Sequence, residues 1–123
     1  MSKGDGYLDK KIETLSNKIA QLLTDKKAQD VICLDISEKT ILADAFVIAS
    51  GRSSVQVKAL CDEVDEYCKD NEIEIGPMEG YSAARWVIID LKDVVVHIFR
   101  NEDREFYNLE RLWSDAENVK EFA

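Results

Sequence analysis

What is scarce in this chain sets the first limits on it. There is one histidine, and the three cysteines form no CxxC pair, so the usual ligand set of a structural zinc site is missing. An odd cysteine count does not build a secreted disulfide framework. Cys61 and Cys68 stand seven apart, two turns along a helix, and cannot bridge, while Cys33 sits in an apolar run; all three read as reduced and buried. No stretch approaches the roughly 20 apolar residues of a membrane helix. Residues 1–11 lack the apolar segment a signal peptide needs. A cytoplasmic protein without a membrane partner is expected. Positive charge is also short: 16 Lys and Arg stand against 25 Asp and Glu, a net charge of −9. Phosphate backbones repel such a chain, so direct nucleic-acid readout is not expected, whereas a basic protein partner suits it.

What is present fits one domain. The 123 residues are 46% hydrophobic, enough for one packed core, and 33% charged, above the usual quarter or so. Residues 1–7, with Gly4 and Gly6, read as a flexible tail. Apolar positions 8, 12, 15, 19, 22 and 23 make a helical stripe ending near 26–29. Runs 31–36 and 45–50 read as strands, the second apolar at nearly every position and so suited to a central place. Ser53 or Ser54 is placed to cap a helix that buries Val57, Leu60, Cys61, Val64 and Cys68 and ends at Asn71. Ile73 and Ile75 suggest a short edge strand closed by Gly76 and Pro77. Runs 85–91 and 94–99 flank a Lys92–Asp93 turn, and 101–112 reads as one short helix with Asn101 as its cap. The expectation is an α/β (α+β) domain over 8–116, one mixed sheet of about five strands with helices packed on it, and a C-terminal tail at 117–123.

Catalytic patterns are thin. The Ser50-Gly-Arg-Ser-Ser54 turn joins a strand to a helix N-terminus, a place where anions bind. It is neither a GxxxxGK[ST] loop nor a dinucleotide fingerprint, and the paired strand carboxylates of a nucleotidyltransferase do not follow it. Asp90 and Asp93 flank a turn and could hold a metal, but solvated turn acids explain them better. His97 lies on an alternating strand with Val95 and Phe99 on its face, and no serine or cysteine is spaced to be its nucleophile. No catalytic group, metal site or cofactor is expected. Trp86, Ile88 and Asp90 share a strand face that mixes ring and charge, open to reading as core or as binding surface. Residues 61–75 hold seven acids and one lysine, either a solvated helix face or a source of long-range steering.

Several stretches carry a resemblance: Asp30-Val-Ile-Cys-Leu-Asp35, Ala43-Asp-Ala-Phe-Val-Ile-Ala-Ser-Gly51 with Ser53 and Ser54, Gln56-Val-Lys58, Glu79-Gly80, Trp86-Val-Ile-Ile-Asp90, Asp93-Val-Val-Val-His-Ile-Phe99 and Arg104-Glu-Phe-Tyr-Asn-Leu-Glu-Arg-Leu-Trp113. Together they resemble the ribosomal silencing factors, or Iojap-like family, from about Leu8 to Asp115. The resemblance implies a nucleotidyltransferase-like fold without catalysis. It further implies docking on the large ribosomal subunit through its basic ribosomal protein fourteen, blocking the small subunit and lowering translation when nutrients are scarce. It places the partner-binding role on Glu79, Trp86, Asp90, His97, Phe99, Tyr107, Glu110 and Trp113, with Trp86 as anchor, the acids meeting lysine or arginine, and His97 and Phe99 open to a supporting role. A homodimer in the free state is a corresponding expectation. A nucleotidyltransferase-like enzyme, a large-subunit assembly factor and a homodimeric protein-binding scaffold are the alternatives.

Overall fold

The first helix begins where Asp9 turns its carboxylate back on the chain. Asp9 Oδ1 accepts from the Lys11 N–H at 2.8 Å and caps α1 (Lys10–Asp25). The computed structural model describes residues 9–122, and the tail expected at 1–7 lies outside them. β1 (Gln29–Asp35) and β2 (Ala45–Gly51) follow, then α2 (Ser54–Asp70), β3 (Met78–Glu79), β4 (Trp86–Asp90), β5 (Val94–Arg100), α3 (Asn101–Tyr107), α4 (Leu109–Trp113) and β6 (Val119–Phe122).

The strands form one six-stranded mixed sheet in the order β3-β4-β5-β2-β1-β6. β2 and β5 pair in parallel, as the apolar character of both central runs demands, and the other neighbours are antiparallel. Alternation divides the sheet residues between two faces. One face presents Val47, Ala49, Val87, Ile89, Val96 and Ile98, all buried under α1 and α2. α1 contributes Ile19, Ala20 and Leu23 to that layer, and α2 contributes Val57, Leu60, Cys61, Val64 and Cys68. The opposite face presents Phe46, Ile48, Val95, Phe99 and Trp86, and meets the short α3–α4 segment through Leu109 and Trp113.

Three local expectations change. Ile73 and Ile75 form no strand; they pack against the core, and the edge strand is Met78–Glu79. The Gly76 N–H donates to the Asp90 carbonyl at 2.9 Å, but Pro77 has no N–H to continue a ladder, so regular pairing starts at Met78↔Ile89. The single helix expected over 101–112 is two. Asn108 takes the left-handed conformation (φ 46°, ψ 52°) and its N–H donates to the Arg104 carbonyl at 2.8 Å, which ends α3. Arg100, not Asn101, precedes α3, and no side chain caps it. Finally, part of the segment expected as a tail at 117–123 forms β6, antiparallel to β1, so the sheet gains its sixth strand beyond the expected domain end. Asn118 makes this reversal, its Nδ2 donating to the Asp35 and Trp113 carbonyls at 3.0 and 2.8 Å.

Gly80 links β3 to β4 with φ +85°, and a Cβ there would stand 2.3 Å from the Trp86 carbonyl oxygen. Gly80→Ala is therefore expected to destabilise the fold by more than about 2 kcal/mol, through both the conformation and the clash. Urea denaturation checks this, and a loss below about 0.5 kcal/mol, within the range of ordinary surface substitutions, would refute the account.

Candidate protein-docking face

Cross-strand register assembles the site, because residues paired directly share a face. β4 and β5 bring Trp86 opposite Phe99, Ile88 opposite His97 and Asp90 opposite Val95. β3 adds Glu79 beside Ile88, and β2 sets Phe46 beside Val95 and Ile48 beside His97. The rings then touch in sequence across the sheet. Trp86 stacks on Phe99 at 4.9 Å and 24°, and meets Tyr107 of α3 at 4.9 Å. On the other side of His97, Phe46 approaches the imidazole edge-on at 4.6 Å and reaches Trp113 of α4 at 5.4 Å. Such offset and edge contacts suit the ring quadrupoles.

Burial sorts the expected binding residues. Trp86 and Trp113 are half-buried, and Tyr107, Glu79 and Asp90 are exposed. Phe99 is sealed at 0% exposure and His97 at 5%, so these two form the floor of the face rather than its contact surface. Glu110 is held within the fold: Arg104 Nη2 lies 3.0 Å from its Oε2, and Arg104 Nε donates to the same oxygen at 3.2 Å. Its expected role as a free acid for a partner's cation does not match that geometry. Asp90 keeps an outward carboxylate, although its Oδ1 accepts the Lys92 N–H at 2.7 Å to close the hairpin.

Sequence reasoning missed Phe46, which is half-buried on this surface, and Phe106, whose ring meets Tyr107 at 5.0 Å. Ile88 lies half-buried on the face as read, and Phe106 and Leu112 project from α3 and α4 at 79% and 77% exposure. Phe46 was hidden in a run apolar on both sides. Its signal is parity: Phe46 and Ile48 share the face that β2 presents beside Val95 and His97. Phe106 and Leu112 show no periodic signal, because the helices carrying them are a turn or two long.

The histidine beneath this face is chemically quiet, and so are the three thiols packed on the far side of the sheet. Burial pushes the His97 imidazole down to about 4, so it is neutral near pH 7. Its Nδ1 accepts the Trp86 Nε1–H at 3.1 Å, which leaves the ring proton on Nε2. Burial likewise pushes the Cys33 thiol up to about 11 and Cys61 up to about 12, and it raises Cys68. Thiols held protonated are poor nucleophiles and poor metal ligands. Among the described residues no group of three or more His, Cys, Asp or Glu could hold a metal ion. Nor is any described helix long and apolar enough to cross a membrane.

Two other places engage most of their polar groups with the chain itself. In the turn after β2, Gln56 Oε1 accepts the Arg52 N–H at 2.6 Å and Ser53 Oγ accepts the Gln56 N–H at 3.1 Å, so Ser53 caps α2 and both donors are already used. At the end of β1 and β2 lies a polar cavity of about 620 Å³ lined in part by Gln29, Ser50, Asn101, Arg104 and Glu110. Arg104 Nη1 donates to the Ser50 Oγ at 3.3 Å and the Gln29 carbonyl at 3.4 Å, while Nε and Nη2 bond Glu110, so all three nitrogens are engaged, tying α3 to the sheet and to α4.

Residues 9–123 match the family model described as "Ribosomal silencing factor during starvation". The chain is 46% identical over 92 residues to the ribosomal silencing factor of Bacillus subtilis, spanning 75% of this chain and 78% of that one. It is 47% identical over 96 residues to that of Halalkalibacterium halodurans, spanning 78% and 82%. A mouse protein named "Mitochondrial assembly of ribosomal large subunit protein 1" is 29% identical over 99 residues, 78% of this chain and 43% of its own length. A crystal structure of a Bacillus halodurans protein superposes with a TM-score of 0.74 at 38% identity, covering 93% of this chain and all of that one.

The buried imidazole sets a pH dependence. Its folded value is about 4 against an ordinary 6.5, so between these the unfolded chain binds a proton that the folded chain does not. The contribution is therefore complete above pH 6.5 and is lost as pH falls towards 4, a loss of about 3 kcal/mol. Urea denaturation of the wild type and His97→Phe at pH 7 and pH 4 isolates it, since this is the sole histidine. Equal losses in the two proteins would rule it out.

Proposed function

The chain belongs to the ribosomal silencing factor family, and we propose that it represses translation by laying the Trp86 face on the large ribosomal subunit. The contact is made through the basic ribosomal protein fourteen, and the bound domain stands where the small subunit would join. The observation that carries this reading is the open sheet face itself: an aromatic surface around Trp86, Phe46, Trp113 and Tyr107, edged by the carboxylates of Glu79 and Asp90. Half-buried tryptophan and tyrosine on a rigid floor are the usual anchors of a protein interface. An interface of about 800 Å² per partner is within reach of a domain this small. The net charge of −9 favours encounter with a cationic ribosomal protein and opposes direct contact with RNA.

Silencing of this kind needs occupancy and no turnover, so the neutral imidazole and protonated thiols are no obstacle. In the free state a second copy covering the same apolar face would give the expected homodimer. A second reading, help in assembling the large subunit, draws on the name of the mouse relative. It uses the same docking and differs in outcome: loss of the protein would leave incomplete large subunits rather than unrestrained subunit joining.

The wild-type protein should sediment with isolated large subunits and prevent their pairing with small ones. Trp86→Ala should weaken that binding by about 2 kcal/mol or more, roughly 30-fold. No binding by the wild type would end the reading, and unchanged affinity in the variant would remove Trp86 from the site. Reversing the edge charges with Glu79→Lys and Asp90→Lys should slow association several-fold at low salt, an effect fading towards 1 M salt as screening shortens to about 3 Å. Association rates that ignore both the charges and the salt would argue for a purely apolar contact.

A further inference from the structure

The polar atom of the anchoring tryptophan is already used inside the fold. The Trp86 Nε1–H on β4 donates to His97 Nδ1 on β5 at 3.1 Å. The acceptor ring is itself immobilised: His97 is 5% exposed, Phe46 meets it edge-on at 4.6 Å, and Ile88 and Ile48 stand opposite it on the two neighbouring strands. The indole is thus held by Phe99 at 4.9 Å, by Tyr107 at 4.9 Å, and by His97 at its nitrogen. Ring contacts of this kind are weakly directional, whereas a hydrogen bond has a narrow geometry. The bond to His97 is therefore what fixes the angle of the indole plane. It also turns the one donor of the side chain inward, so the half-exposed remainder offers carbon alone.

We propose that His97 is the positioning residue of Trp86, taking up the indole N–H and presenting the ring as a purely apolar contact that selects aliphatic side chains of a protein partner over phosphate or carbonyl acceptors. This rests on the docking reading above and states the chemistry that the anchor demands of its partner. A ring released from His97 must be ordered again on binding, which weakens affinity about threefold to tenfold.

The test begins with the wild-type protein alone. With ¹⁵N labelling, a scalar coupling between Trp86 Nε1 and His97 Nδ1 through the hydrogen bond is expected, together with slow solvent exchange of the Trp86 indole proton. Binding to isolated large subunits then separates positioning from packing. His97→Gln, whose amide oxygen is an acceptor, should bind within about twofold of the wild type, while His97→Phe, which fills the space without an acceptor, should bind threefold to tenfold more weakly and exchange its Trp86 indole proton faster. Missing coupling overturns the positioning role, as does a folded Phe variant that binds like the wild type, or equal losses in the two variants. If the Phe variant does not fold, the wild-type coupling and the Gln variant still decide. A wild type that shows the coupling but ignores large subunits refutes the docking reading, and with it the selection of an apolar partner, while leaving the internal bond established.

Discussion

The constraint on which the rest of this molecule depends is the unequal cover of its sheet. Two long helices, of 16 and 17 residues, close one face, and segments of seven and five residues reach over the other. A parallel β2–β5 pair needs apolar surroundings on both sides. The first face meets that need with aliphatic side chains. On the second, aromatic rings stand in for a missing helix. Phe99, His97, Phe46 and Trp86 span the gap by touching one another, and α3–α4 adds Tyr107 and Trp113 at the ends. A sheet finished in this way is stable enough to leave rings half exposed, which is what a docking surface requires.

The same asymmetry divides the electrostatics. Residues 61–75 carry seven acids and one lysine, but α2, which holds most of them, packs on the face away from the rings. Several are engaged locally: Asp62 accepts from the Tyr81 hydroxyl at 2.9 Å, Glu63 pairs with Lys26 at 3.7 Å and Asp65 with Lys69 at 3.0 Å. Exposed pairs of this sort contribute little to stability. Their net charge acts at a distance, within a Debye length of about 8 Å under physiological salt. Glu79 and Asp90 lie on the ring face itself, where the proposed docking uses them both to steer association and to set register.

Much of this was legible from residue order. The stripe of Ile12, Leu15, Ile19 and Leu23, the Ser53 cap, and the alternation of β5 each rest on local periodicity or capping chemistry, and each appears as read. The failures have two sources: partners distant in sequence, and local conformations that residue order leaves open. β6 has two apolar residues in four and exists because β1 offers an edge beside it. The split of α3 from α4 turns on Asn108, whose left-handed backbone is one of several choices open to that residue. At the site, the face shared by Trp86, Ile88 and Asp90 followed from parity, but which rings are floor and which are surface depended on the short reach of α3–α4. Glu110 is the sharpest case. The family resemblance implied a partner-facing acid, and only the fold shows Arg104 bonded to it.

A face built in this way is suited to obstruction and poorly suited to chemistry. Catalysis asks for groups whose ionisation lies near the working pH and whose polar atoms reach a substrate. Under this face burial moves the one histidine to about 4, well outside that range, and its accepting nitrogen is turned toward a tryptophan. Two thiols, pushed up to about 11 and 12, lie across the sheet beneath the two long helices. Burial of the histidine and its bond to Trp86 make the floor chemically quiet and geometrically fixed. Inertness and fixity are what steric exclusion needs, since a blocking domain acts for as long as it stays bound. Selection for such a role would act on dissociation rate, and dissociation is governed by how little the rings rearrange between the free and bound states. The tight floor beneath Trp86 is therefore as much a part of the proposed function as the rings that touch the partner.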